Sequence, residues 1–212
     1  AGTYDDAVLR ARTAALQEHA LLAADTSPDP HDRVVRDVMT GYGRMTDEIA
    51  AQFATLGDVQ PTHAFIQAGV GGLAAAVSEG LSACMRERVR VIVVEPHNAA
   101  CVAHALVQGW PVRIAGSLET IADMLSCGLA SAPAIEILLR HGARSLLVDE
   151  VQLERAPVAL QATGGPASTP SGAAGVAGLL AASADARMRD DHGLGADSIV
   201  LLCNTEGAVA SG

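Results

Sequence analysis

Apolar positions along the chain alternate between a helical and an extended rhythm. Asp5 and Asp6 precede Val8, Ala11 and Ala15, with Leu9 and Leu16 alongside, which predicts a helix behind a negatively charged start. Residues 19–24 (HALLAA) are a short apolar run halted by Asp25-Thr26-Ser27-Pro28-Asp29-Pro30. That pattern predicts a strand ending in a loop with an exposed carboxylate. Over 33–56 the rhythm is helical again: Met45, Ile49, Phe53 and Leu56 recur at four, four and three residues, and Gly57 supplies the stop. Gly41 and Gly43 predict a division of this stretch into two helices.

The next unit is clearer. Residues 62–67 (THAFIQ) predict a strand, 68–72 a glycine-rich turn, 73–86 a helix and 89–95 (VRVIVVE) a continuous apolar strand. Such a run belongs to a parallel sheet buried on both faces, and the order implies a right-handed crossover. Residues 121–125 and 134–140 read as helical, with His141-Gly142 ending the second, and 145–148 as a strand. A low-complexity loop, 163–172 (TGGPASTPSG), precedes an alanine-rich helix over 173–184, and the last strand is 198–203. Strands alternating with helices predict an α/β layered fold.

Composition narrows this picture. Half of the 212 residues are hydrophobic, but there are only two Phe, two Tyr and one Trp, so the core must be aliphatic. The formal charge of −10 disfavours nucleic acid or an anionic membrane as partner, since either needs a basic patch. No apolar run reaches the ~18 residues of a membrane span, and the start shows no signal-peptide pattern. Cys84, Cys101, Cys127 and Cys203 are scattered, as expected of small apolar core residues in a reducing compartment. The seven histidines (19, 31, 63, 97, 104, 141 and 192) lack metal-ligand spacing, so no metal site is expected. They read as surface or helix-end residues. All 14 cationic side chains are Arg, and chemistry that needs a side-chain amine cannot originate here.

Gly69-Val70-Gly71-Gly72-Leu73-Ala74 follows a predicted strand and opens a predicted helix. Glycine lets backbone N–H groups approach an anion, and the helix N-terminus adds partial positive charge, so the turn suits a phosphate. The same residues satisfy the dinucleotide fingerprint. Glu95 lies 21 residues beyond Ala74, at the end of the next strand, where a ribose-binding acid is expected. The turn alone therefore points first to an NAD(P)-binding module and leaves open the phosphate of another cofactor.

The wider order of segments is more specific: TYDDAV, ADTS, MTGYGRMTDEIAAQ, PTHAFIQAGVGGLA, VIVVEP, MLSCG and NTEG. In this order the chain resembles the diaminopropionate ammonia-lyases. It is less closely similar to threonine dehydratases and other pyridoxal 5′-phosphate (PLP) enzymes of fold type II, the tryptophan synthase β-like family. The resemblance implies a three-layer parallel-sheet domain over 41–212, incomplete at its end, with a partial smaller α/β domain over 1–40. It implies that Gly69, Val70, Gly71 and Gly72 bind the 5′-phosphate of PLP and that Thr205 sits by the pyridine nitrogen. Asp25 is implied as the acid/base or the contact to the substrate ammonium. It also places residues 168–175 near the active site, where Pro170 beside Ser171 stands in place of a family acidic residue.

In this family a Schiff-base lysine lies N-terminal to everything present here. The resemblance therefore implies a C-terminal half of a longer cytoplasmic, homodimeric enzyme that acts on a small amino acid and is inactive as this piece alone. The implied reaction converts 2,3-diaminopropionate to pyruvate and ammonia by α,β-elimination. A threonine/serine dehydratase, an NAD(P)-binding module and a non-catalytic remnant are the rival readings.

Overall fold

The computed structural model describes residues 4–57 and 59–207 of the chain. Residues 1–3, at the start of the expected small domain, and 208–212, at the end of the expected large one, lie outside the described residues. The elements run α1 (Tyr4–Glu18), α2 (Arg33–Thr55), β1 (His63–Gln67), α3 (Gly72–Cys84), β2 (Arg90–Pro96) and α4 (Cys101–Gln108). They continue with α5 (Ala132–His141), β3 (Arg144–Val148), α6 (Glu150–Ala162), α7 (Ala174–Ala184), α8 (Ala186–His192) and β4 (Val200–Leu202).

The four strands form one sheet in the order β3-β2-β1-β4, and all pairings are parallel. His63 pairs with Arg90 and with Val200, and Ile92 pairs with Arg144. Both faces are buried. Ala64, Ile66, Val91 and Val93 pack with residues of α2, α3, α4 and α5 on one side. Phe65, Ile92, Val94, Leu146 and Val148 pack with α6 and α7 on the other. The result is the expected three-layer α/β arrangement. Its core is built from Val, Ile, Leu and Ala, because alternate strand residues point to opposite faces and both faces are covered.

Several elements differ from the sequence expectation. Residues 19–24 form no strand. His19 leaves α1 with a left-handed φ of 53°, Leu21 is 84% exposed, and no strand of the described residues lies alongside to satisfy the backbone. Gly41 and Gly43 do not divide α2. Val35, Met39 and Thr46 are buried along it on both sides of the glycines, and that anchoring outweighs a helix penalty of about 1 kcal/mol per glycine. The helix expected over 121–125 shrinks to the 3₁₀ turn Asp123–Leu125. Helices α4, α6 and α8 were not foreseen, although Asp149 and Gln152 form a capping box at the start of α6.

Two histidines are not surface residues: His63 is 1% and His192 9% exposed. His63 shares its Nδ1 with Thr62 Oγ1 at 2.7 Å, and its Nε2 lies 3.1 Å from His192 O. Burial holds both imidazoles below their ordinary pKa. Among the cysteines, Cys101 and Cys127 are buried as expected, whereas Cys84 is exposed.

Candidate functional site

The C-terminal end of β1 and the segment that follows β4 open on one cleft, and the turn from β1 into α3 forms its floor. Gly71 is the N-cap of α3 with φ of 97°, a left-handed conformation that glycine adopts without strain. At Gly69 a β-carbon would meet Met124 O at 3.0 Å and Cys127 Sγ at 3.1 Å, so a side chain there would push the segment 124–127 back by a few tenths of an ångström. The first bond of α3 runs from Ala75 N–H to Gly71 O at 2.9 Å. The N–H groups ahead of Ala75 therefore have no acceptor within the helix, which is the condition for anion binding at a helix start.

The ADTS loop is tied to this floor through α5. Ala132 N–H donates to Ser27 O at 2.8 Å, Ser27 N–H to Ser131 Oγ at 3.4 Å, and Ser131 N–H to Val70 O at 2.9 Å. These bonds carry Asp25 to the mouth of the cleft. There its Oδ1 accepts the hydroxyl hydrogen of Tyr4. Burial, and then the neighbouring Asp25, hold the Tyr4 phenol well above its usual pKa, so Tyr4 remains a donor. The adjacent Asp5 pairs with Arg113.

The third wall follows β4. Gln67, at the end of β1, is 3% exposed, and its Nε2 donates to Thr205 Oγ1 at 2.7 Å, Cys203 O at 2.9 Å and Gly172 O at 3.2 Å. Thr169 Oγ1 donates to Glu206, and Ser171 Oγ accepts from Met124 N at 3.2 Å. The loop over 163–172 is thereby bonded to both the NTEG segment and the turn at Asp123–Leu125.

The structure brings Asp25, Gly69, Val70, Gly71, Gly72 and Thr205 to one cleft of about 630 Å³. Among the described residues no Arg or His lines it, so the donors available to an anion on its floor are backbone N–H groups. Cys127 also faces the cleft, and burial pushes its thiol up to about 12. Tyr4 and Gln67 are the residues that sequence reasoning missed. Both sit inside the quoted segments TYDDAV and PTHAFIQAGVGGLA, but neither type nor spacing marks them out.

Glu95 is not a ribose ligand. It is fully buried, and its Oε1 and Oε2 accept from the N–H groups of Val102 and Ala103 at 2.7 Å each, at the start of α4. Burial, partly offset by these two donors, pushes its carboxyl up to about 8. The carboxylate that the dinucleotide reading requires is therefore turned into the core. Among the described residues no group of three or more His, Cys, Asp or Glu is arranged to hold a metal ion, and no helix is long and apolar enough to cross a membrane.

A parallel α/β sheet covered on both faces, with a glycine turn at the strand ends, is the architecture of PLP enzymes of fold type II. Comparison with known proteins agrees: a family model described as "Pyridoxal-phosphate dependent enzyme" matches residues 1–204, and the chain belongs to that family. The chain is similar to diaminopropionate ammonia-lyase of Escherichia coli (strain K12), at 31% identity over 96% of this chain and 53% of the relative. It superimposes on the crystal structure of the E. coli enzyme in complex with a reaction intermediate, with a TM-score of 0.82 and 29% identity. That match covers 96% of this chain and 54% of the other. A probable D-serine dehydratase of Cupriavidus pinatubonensis is 31% identical over 73% of this chain and 38% of its own length. The chain thus spans about half the length of the ammonia-lyases it matches. The family's cofactor is PLP.

Proposed function

We propose that the whole protein is a PLP-dependent ammonia-lyase that converts 2,3-diaminopropionate to pyruvate and ammonia by α,β-elimination, and that this chain supplies most of its cofactor cradle. The observation behind this reading is the convergence of Gly69, Val70, Gly71, Gly72, Thr205 and Asp25 on one cleft, in a chain similar along 96% of its length to such a lyase. PLP, when bound, supplies the electron sink that eases loss of a proton from the substrate Cα. The residues of this chain fit it: the free N–H groups of Gly71 and the first turn of α3 suit a phosphate, and the Thr205 hydroxyl suits a ring nitrogen.

In this reading Gly69, Val70, Gly71 and Gly72 hold the 5′-phosphate, Thr205 orients the pyridine ring, and Asp25 moves a proton or contacts the substrate ammonium. Tyr4, through its hydroxyl on Asp25, fixes the direction of that carboxylate. The division into a partial small domain over 1–40 and a large domain over 41–212 belongs to the same proposal. So do a homodimer and a cytoplasmic location. Because the chain has no lysine, the covalent attachment point for the cofactor must come from elsewhere, and the 212-residue chain alone is inactive.

The test is pyruvate release by the full-length protein from 2,3-diaminopropionate, L- and D-serine and L-threonine. Turnover of diaminopropionate is the expected result. Turnover of serine or threonine without diaminopropionate would replace this reading with a dehydratase, which the likeness to the D-serine dehydratase makes the second choice.

A further inference from the structure

We infer that Gln67 is a positioning residue: its amide fixes the Thr205 hydroxyl as a hydrogen-bond donor toward the cleft, selecting a ring nitrogen that carries no proton. This rests on the reading that Thr205 faces the cofactor ring.

The orientation of the Gln67 amide is not a free choice. Its Nε2 lies 2.9 Å from Cys203 O and 3.2 Å from Gly172 O. Backbone carbonyls only accept, so the NH2 end must face them, and the reverse orientation would set two carbonyl oxygens against the amide oxygen. The same NH2 lies 2.7 Å from Thr205 Oγ1, which therefore accepts. A hydroxyl has one hydrogen, and no other hydrogen bond engages that of Thr205 among the described residues. Thr205 is exposed on the cleft, so its hydrogen is left for whatever occupies the cleft. The nearest carboxylate along the chain, Glu206, is engaged by Thr169. A donor facing the ring nitrogen matches a lone pair and opposes a pyridinium N–H.

The cost of the arrangement also points to a role. Gln67 Oε1 is buried and has no partner among the described residues, and a buried unpaired acceptor is unfavourable. An apolar side chain at the end of β1 would avoid that cost, but it would leave Thr205, Gly172 and Cys203 without their shared donor. The sequence holds Gln67 two residues ahead of Gly69, so one strand end delivers both the phosphate turn and the group that governs the opposite end of the ring.

The experiment titrates the full-length protein, freed of cofactor, with PLP labelled with ¹⁵N in the pyridine ring, reading affinity by absorbance and ring-nitrogen protonation by ¹⁵N chemical shift. The chains compared are wild type, Gln67→Glu, Gln67→Met, Thr205→Val and the two double variants, with folding checked by circular dichroism. Wild type is expected to bind with an unprotonated, hydrogen-bonded nitrogen. Gln67→Glu turns the Thr205 hydrogen inward, and is expected to weaken binding about tenfold, the worth of one hydrogen bond, and to shift the resonance. Gln67→Met, which keeps the size and removes the donor, shifts it less. In the Thr205→Val background neither change moves the resonance further. Equal effects with and without Thr205, or an unmoved resonance in the folded Gln67 variants, overturn the proposal and leave the cofactor reading standing. A full-length protein that takes up no PLP overturns both.

Discussion

Asp25 and Glu95 are both carboxylates beside the same turn, and their surroundings give them opposite tasks. Asp25 faces the cleft and accepts from Tyr4, the position that its proposed acid/base role requires. Asp25→Asn in the full-length protein is expected to lower pyruvate production at least ~100-fold while leaving PLP affinity within about twofold, measured by steady-state assay and cofactor titration. An equal loss of affinity would assign Asp25 to the cradle instead. Glu95 faces the core, with its carboxyl pushed up to about 8 from an ordinary value of 4.5. A carboxyl raised on folding binds its proton more tightly in the native state. Its stabilisation is complete below about 4.5 and is lost as pH rises through about 8. The wild-type chain should therefore lose up to about 1.4 kcal/mol per pH unit relative to Glu95→Gln across pH 5–8, read from urea midpoints. Parallel curves would mean that Glu95 is ionised throughout.

At the scale of elements, α7 determines how closely the outer layer approaches the sheet. A β-carbon at Gly175 would lie 2.6 Å from Phe65 O, a backbone atom of β1 that cannot step aside. Gly175→Ala gains roughly 1 kcal/mol in helix propensity, but must lift α7 off the strand. The expected net result is a loss of about 1–3 kcal/mol, seen as a melting temperature lower by several degrees. An unchanged or raised melting temperature would show that α7 sits farther from the sheet. The elements themselves were legible where the apolar rhythm was long: β1, β2, α3 and the continuous part of α2. The run 19–24 misled because its composition suits a strand, while pairing depends on a neighbour that this segment does not have among the described residues. Helices α4, α6 and α8 escaped because α4 and α8 are short (eight and seven residues) and α6 carries Pro157 within it.

For the whole molecule, the absence of lysine leads to a direct expectation. The chain should take up PLP reversibly and be freed of it by dialysis, and borohydride reduction should leave no adduct on any side chain from Tyr4 to Gly207, as read by peptide mass spectrometry. A reduced adduct on one of those side chains would show a nucleophile that the sequence does not suggest.

The sequence by itself determined the layer class, the position of the glycine-rich turn and the lack of an amine, because periodicity, glycine placement and residue type are local properties. The order of its segments also pointed to the enzyme family to which the chain belongs. Only the tertiary structure decided where side chains point. Glu95 and Gln67 close adjacent strands of one sheet. The N-terminus of α4 draws the first inward, and two backbone carbonyls turn the amide of the second onto Thr205. Those partners lie seven to eight residues from Glu95 and 105 to 138 from Gln67. No pattern along the chain announces a hydrogen bond whose two ends meet only after the sheet has formed.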